Sequence, residues 1–276
     1  MLRILSDLHL YDAATRVRDL TQLEPLLAGV RTLVINGDSC DTCHGTTPAQ
    51  VAALQRFFRE RVPDVIFITG NHDPDISDTH ELMLAGGRLW LAHGDVCFDD
   101  IAPWSRNQPE LWRHVQQQLQ ANPSADYREI AIRHRIARAA ARAVGREFNP
   151  SEIAFSAKLA RTWRTFFPPR QPLAMLRAWR ELPARAAALA VAQRPSARLV
   201  VTGHIHYPGV WTTPTGPTVV NTGSFCRPLG GCAVDLLDDV VQVRRIVARD
   251  GQFHPGRAVA EIPLAATPAA ALSASA

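Results

Sequence analysis

The chain has 276 residues, 46% of them hydrophobic and 20% charged, which supplies a sizeable core and excludes wholesale disorder. The net charge of +4 is carried almost wholly by arginine, because Lys158 is the single lysine. That total conceals an asymmetry: residues 101–198 hold 17 basic against six acidic side chains (+11), and the rest of the chain 13 against 20 (−7).

The elements follow in chain order. Leu2–Leu5 is a short apolar run that reads as a strand ending at Ser6-Asp7. A helix is expected over roughly Thr15–Gly29, with Leu20, Leu23 and Leu27 at helical spacing and Gly29 as its stop. A second strand, Thr32–Ile35, ends at Asn36-Gly37-Asp38. A helix near Pro48–Arg61 leads to a third, Val65–Ile68, which ends at Gly70-Asn71-His72, and Leu89–Leu91 runs into His93-Gly94-Asp95. The basic stretch reads as helices near Glu110–Leu119, Tyr127–Phe148 and Glu152–Phe167, then Pro172–Gln193 with a break at Pro183. Ser151 is the N-cap expected for the third of these and Pro168-Pro169 its stop. Leu199–Val201 then enters Gly203-His204-Ile205-His206, and strands over Thr218–Val220, Ala233–Leu236 and Val240–Val247 close the body. Residues 263–276 are rich in Ala, Ser and Pro and are expected to be disordered. Strands alternating with helices predict an α/β class, and the late run of strands adds an antiparallel, α+β portion.

The opening MLRILSDLHL reaches Asp7 and His9 before a signal-peptide apolar region could form, and no run of 18 uncharged apolar residues follows. A cytoplasmic location without a transmembrane segment is the expectation, with the basic helices available for peripheral membrane contact. Five cysteines, an odd number, do not suggest a disulfide framework. Cys40-Asp-Thr-Cys43-His44 has the C-x-x-C-H spacing of covalent haem attachment. Without an export signal, and with Asp38 and Asp41 woven through the same stretch, these read as loop cysteines of no special role.

The informative pattern is where Asp, Asn and His fall. Five strands each end in a short polar loop: Asp7-Leu8-His9, Asp38 to Asp41, Asn71-His72-Asp73, His93, and His204-Ile205-His206. Any one of these residues alone is most simply a turn residue or a helix cap. Together they can converge, because the carboxyl ends of strands in an open α/β sheet line one crevice. The set mixes carboxylate, amide oxygen and imidazole and lacks thiolates, which suits Mn, Fe, Zn or Co better than Ca. Seven such groups are too many for one ion and right for two, with one carboxylate between them.

D-x-H at Asp7, G-D-x-x-D at Gly37, G-N-H-D at Gly70, H-G-D at His93 and G-H-x-H at Gly203, in that order, resemble the calcineurin-like metallophosphoesterase superfamily over roughly residues 1–100 and 199–250. The resemblance implies a β-sandwich flanked by helices, four layers in the order αββα, with an inserted helical cap. It implies that Asp7, His9 and His206 bind one divalent ion and that Asn71, His93 and His204 bind a second, bridged by Asp38. Manganese is the first choice of metal; iron, zinc and cobalt are the alternatives. His72 would be the general acid beside the scissile phosphate, with Asp41 orienting it, and a hydroxide bridging the two ions would attack in line. Asp73 and Asp95 would hold loops or ligand imidazoles in place. The catalytic domain would then be split between 1–100 and 199–262, with 101–198 an Arg-rich helical cap.

That insert carries Trp104, Trp112, Trp163 and Trp179 besides its arginines. A helical cap at this place resembles that of the UDP-2,3-diacylglucosamine hydrolase group, as do Ser6-Asp-Leu-His-Leu10 and the run from His93 to Asp100. His72 is a departure, since that group commonly has Arg there. The expected partner is therefore a small phosphorylated or lipid-linked substrate, such as an acylated nucleotide sugar, with Arg227 and the cap arginines as weak candidates for phosphate contact. A nuclease or cyclic-nucleotide phosphodiesterase is second choice, since arginine with aromatic side chains also suits nucleic acid. A non-catalytic scaffold comes last, because all seven ligands and His72 are present.

Overall fold

The computed structural model describes residues 1–43, 45–144, 170–214 and 216–264. Its strands are β1 (Leu2–Leu5), β2 (Thr32–Asn36), β3 (Asp64–Ile68), β4 (Glu81–Leu84), β5 (Leu89–Ala92), β6 (Leu199–Thr202), β7 (Gly209–Trp211), β8 (Thr218–Asn221), β9 (Cys232–Leu237), β10 (Val240–Arg249) and β11 (Gln252–Pro263). Its α-helices are α1 (Glu24–Leu27), α2 (Pro48–Arg59), α3 (Gln108–Ala121), α4 (Ile130–Ala143) and α5 (Arg170–Gln193).

The strands form two mixed sheets, β11-β10-β9-β1-β2-β3 and β4-β5-β6-β8-β7. In the first, β1, β2 and β3 run parallel and β9 joins β1 antiparallel. In the second, β5, β6 and β8 run parallel. Strand alternation sorts the side chains into layers. Ile4, Val34, Leu91, Val201, Val220 and Val234 point between the sheets. Leu5, Leu33 and Ile35 point the other way, onto Leu26, Leu54 and Phe58 of α1 and α2. These central strands are apolar on both faces, so they read as continuous runs rather than alternating ones.

The outer face of the second sheet is covered by the Arg-rich stretch. Ala178, Leu182, Ala186 and Ala190 recur at helical spacing along α5 and share one core with Trp90, Val200 and Val219. The result is an αββα arrangement whose fourth layer, among the described residues, comes from α3, α4 and α5. Several arginines of that stretch turn toward the body. Arg133 reaches Asp99 at 2.8 Å and the Val96 carbonyl at 2.7 Å, Arg138 reaches the Pro74 carbonyl at 2.9 Å, and Arg142 grips Asp75 with two nitrogens. No helix among the described residues is long and apolar enough to cross a membrane.

Several expected elements differ. The helix over Thr15–Gly29 shrinks to a 3-10 turn at Leu20–Leu23 followed by α1. Asp19 and Gln22 form a capping box that starts the helical backbone there. Thr15, placed inside that helix by its spacing, instead forms an isolated bridge with Cys226. The break at Pro183 does not occur: α5 continues through it. The apolar row clamped on the sheet offsets the ~3 kcal/mol of a proline inside a helix. β4, β7 and the long β11 go unread in the sequence. β11 is nevertheless announced by Asp250-Gly251, whose φ values of 50° and 78° match a tight hairpin turn. Its first residues also precede the expected tail, and Pro263 itself pairs with Val240. The helix expected over Glu152–Phe167, with Ser151 as its cap, lies outside the described residues, as do Trp163, His44 and residues 265–276.

Candidate metal centre

The loops at the carboxyl ends of β1, β2, β3, β5 and β6 meet at one edge of the sandwich. They continue in register beyond the strands: Asp7 N donates to the Gly37 carbonyl, His9 N to Asp38 and Gly203 N to His93, at 3.0, 3.0 and 2.8 Å. Asn36 ties the two sheets together there, its amide donating to the Ala92 carbonyl at 3.1 Å and its own carbonyl accepting from His93 Nδ1 at 2.9 Å.

The backbone aims the donors inward. Asp7, His9, Asp38, His204 and His206 have φ of 52°, 46°, 53°, 72° and 56°, the left-handed region that residues other than glycine avoid. Half of the ten such residues among those described are thus candidate ligands, and strain concentrated this way points to a functional site. Space is equally tight. A Cβ on Gly203 would overlap the Asp7 carboxylate, and one on Gly70 would overlap that of Asp38.

Asp38 lies at the middle. Its Oδ2 is 3.1 Å from His93 Nε2 and 3.7 Å from His9 Nε2, and its Oδ1 accepts from His72 N at 2.9 Å. Asp38, His93 and His204 form one group whose ligand atoms fall within 4.8 Å of one another, and His9, Asp38 and His72 form another. Asp7 Oδ1 is 3.2 Å from His206 Nε2. His9 Nε2 and His206 Nε2 stand 3.0 Å apart. Asp73 knits the support, accepting from the backbone of Asp38, Ser39 and Gly70 at 2.9, 2.7 and 2.8 Å. Asp95 is buried beside His93.

The donor set fits divalent metal ions. His93 gives its Nδ1 hydrogen to a carbonyl, which turns its Nε2 toward Asp38 Oδ2 at 3.1 Å. His204 gives its Nε2 hydrogen to the Ile101 carbonyl at 2.8 Å, leaving Nδ1 as a donor atom. Asn71 Oδ1 is buried with no hydrogen-bond partner. Lone pairs facing each other in a buried space repel unless a cation lies between them. Protonation points the same way for two of the imidazoles, whereas at His93 burial lowers the pKa but Asp38 beside it raises it well above the usual value, so a metal ion there would take the place of a proton. Burial, then His206, pushes His9 down to about 3, and burial, then His93, does the same to His204. Both imidazoles are therefore neutral near pH 7, the state a metal ligand requires. Burial raises Asp38, but the His93, His72 and His9 imidazoles hold it well below the usual carboxylate range. Burial, then Asp38, pushes Asp73 up to about 6.

A cavity of about 340 Å³ opens onto these groups. His9, Asp38, Asn71, His204 and His206 line its base, with His72 and Asp41 beside them. Ala102, Trp104, Leu111, Ala141 and Val144 of the insert add an apolar part to the wall, with the polar Ser105 and Asn107 among them. Arg227 borders the cavity, whereas no described arginine of the insert does. His72 Nδ1 lies 3.8 Å from Asp41 Oδ2.

The family profile of calcineurin-like phosphoesterases matches residues 2–208. The chain belongs to the calcineurin-like phosphoesterase family. Membership puts it among metal-dependent phosphoesterases and implies divalent metal ions. No curated protein matches the sequence. Among solved structures, the chain is similar to Vps29 of Chaetomium thermophilum, at 11% identity and a TM-score of 0.47 over 98% of each chain. It is similar to a dimetal phosphatase of Danio rerio at 13% identity and a TM-score of 0.47, covering 96% of this chain and 98% of that one. Wild-type Vps29 of Entamoeba histolytica complexed with zinc gives 12% and 0.42, over 96% and 99%.

Three features of this phosphoesterase's site go unread in the sequence. Asn36 cross-ties the sheets, and its position at the end of β2 was the available signal. Trp104 packs its ring against His204 with centroids 4.9 Å apart, a contact that no spacing announces. Cys226 falls beside His9 and His206, although the donor set reads as free of thiolates.

Proposed function

We propose that this protein hydrolyses a phosphoester or pyrophosphate bond at a dinuclear centre, in a substrate that joins a phosphate group to an apolar one. The observation that carries the reading is Asp38, which belongs to one close group of donors with His93 and His204 and to another with His9 and His72, the ligand atoms of each lying within 4.8 Å of one another. Asp7, His9 and His206 would hold one ion, and Asn71, His93 and His204 the other, with Asp38 common to both. Bound there, the ions would supply Lewis acidity toward phosphoryl oxygens and lower the pKa of water.

The side chains of the chain supply the rest. His72 is part-exposed to the cavity and stands beside the ligands, its ring centroid 5.0 Å from that of His9. It would give a proton to the leaving oxygen, and Asp41, 3.8 Å from its Nδ1, would orient the imidazole. Arg227 would meet a substrate phosphate at the cavity border. The wall of Ala102, Trp104, Leu111, Ala141 and Val144 would exclude water and receive the apolar part. This supports the acylated nucleotide sugar as a substrate class and the comparison of the insert with the diacylglucosamine hydrolase cap. A nucleic-acid substrate is less well served, because Arg133, Arg138 and Arg142 are engaged with the body rather than turned to the cavity. A split catalytic domain, 1–100 with 199–262, would carry the ligands and the insert 101–198 the wall.

The test is an assay of the purified protein with Mn, Co, Zn or Fe on chromogenic phosphate mono- and diesters, acylated nucleotide sugars and single-stranded oligonucleotides. Turnover of the acylated substrate is expected. Cleavage of oligonucleotides alone would favour the nuclease, and bound metal without any turnover would favour a scaffold.

A further inference from the structure

Cys226 sets itself apart from the other buried cysteines. Cys40, Cys97 and Cys232 each belong to one of the three apolar cores. Cys226 is only 6% exposed yet belongs to none of them, and it borders the catalytic cavity instead. Its Sγ forms a group with one imidazole nitrogen of His9 and one of His206, all within 4.8 Å of one another. In a tetrahedral site, zinc–sulfur and zinc–nitrogen bonds of about 2.3 and 2.1 Å place the two ligand atoms about 3.6 Å apart, so shifts of about 1 Å or less would close this group on one ion.

The segment that carries the thiol is held firmly. After β8 the chain turns through Gly223, and Phe225 N donates to the Asp7 carbonyl at 3.0 Å. Arg16 N donates back to the Phe225 carbonyl at 3.0 Å, and Cys226 N donates to Ser224 Oγ at 3.1 Å. Thr15 pairs with Cys226 directly. The loop of Asp7 and His9 and the loop of Cys226 are thus one stitched unit, and the approach of the thiol to the imidazoles follows from the backbone.

We infer that Cys226 supplies a thiolate to the ion held by His9 and His206, and that this half of the centre is built for a thiophilic ion such as zinc. The inference rests on the metal centre proposed above. It makes the two halves chemically unlike. With Asp38 common to both, Asp7, His9, His206 and Cys226 would give one half a mixed oxygen, nitrogen and sulfur set, whereas Asn71, His93 and His204 would give the other oxygen and nitrogen only. Thiolate selects zinc, iron or cobalt over manganese, so manganese would be the poorer occupant of the first half. A thiol bound this way is deprotonated by the ion and becomes the position where oxidation would release metal.

The experiment is cobalt loading of the full chain followed by absorption spectroscopy and elemental analysis. A thiolate-to-cobalt charge-transfer band in the near ultraviolet is expected. It should disappear in Cys226→Ser and persist in Cys43→Ser, the other cysteine that borders the cavity. Zinc affinity in Cys226→Ser should fall at least ~10-fold, the lower end of what loss of a metal-supporting group costs. Cobalt bound without the band, or a band that survives Cys226→Ser, would overturn the inference and leave the metal centre standing. Failure of the wild-type protein to bind any metal would instead remove the centre itself. If Cys226→Ser does not fold, zinc-edge X-ray absorption of the wild-type protein decides: a sulfur neighbour at about 2.3 Å is expected, and a shell of oxygen and nitrogen alone overturns the inference.

Discussion

Asp38 and His72 are neighbours joined by a hydrogen bond from the His72 backbone to the Asp38 carboxylate, yet they would have separate tasks, and substitution can separate them. Asp38→Asn keeps the size of the side chain and removes the charge that two groups of imidazoles share. It should lower bound metal to near zero, measured by elemental analysis after dialysis. His72→Gln leaves every candidate ligand in place. It should retain metal and slow turnover by ~10²–10⁴, the range for loss of a general acid. A His72→Gln protein that lost its metal would show His72 to be a ligand instead. At this scale the meeting of the candidate residues was legible, because Asp7, Asn71 and His204 each lie within three residues of a strand end. Cys226 was not. Whether a cysteine ends in a core or against a cavity depends on which loop stitches to which, and Phe225 finding Asp7 across more than 200 residues leaves no local trace.

The elements that hold the site are short strands ended by left-handed turns, and close approach of backbone to carboxylate is what the glycines permit. Gly203→Ala would drive a methyl group into Asp7, which itself accepts from His204 N at 3.0 Å. The expected result is a folded protein, by far-UV circular dichroism, with metal affinity lowered ~10-fold or more, as for other losses of ligand support. Unchanged affinity would mean that the turn relaxes without moving Asp7. Element prediction failed where tertiary contacts outweighed local pattern. The leucines at 20, 23 and 27 have helical spacing, but the chain before them is drawn into the Cys226 loop, and Asp19 restarts the helix late. Pro183 reads as a break only while α5 is considered without the sheet beneath it.

At the scale of the molecule, one buried ion pair fastens the first sheet to its helix layer. Arg3 on β1 makes a two-pronged contact with Asp235 on β9, at 2.6 and 2.7 Å, and reaches the Leu26 carbonyl of α1 at 2.6 Å. Both residues are almost fully buried. Arg3→Met alone should therefore cost about 3–5 kcal/mol in urea unfolding, because Asp235 is left charged and buried. Arg3→Met combined with Asp235→Leu should recover much of that loss. An additive double variant would show that the two side chains act independently.

The second sheet and its helix layer meet at a different kind of contact, which makes stability depend on pH. His134 on α4 is buried, its Nε2 has no hydrogen-bond partner, and its ring lies 5.5 Å from that of His80. His80 in turn binds Thr69 Oγ1 at 2.9 Å and Arg138 at 2.6 Å. Burial, then His80, Arg194, Arg138 and Arg133, pushes His134 from 6.5 down to about 3. Arg194, Arg138 and Arg133 are cationic, so a proton on His134 meets their repulsion besides the cost of burial. The unfolded chain takes up that proton near 6.5 and the folded chain only near 3, so acidification between these values favours unfolding. His134→Leu removes the term. The wild-type protein should lose on the order of 1–2 kcal/mol more than His134→Leu between pH 7 and pH 5, with the shared contributions of His9 and His204 cancelling in the difference. Parallel curves for the two proteins would show that His134 is hydrated in the folded state, and that the helix layer opens to water at this seam.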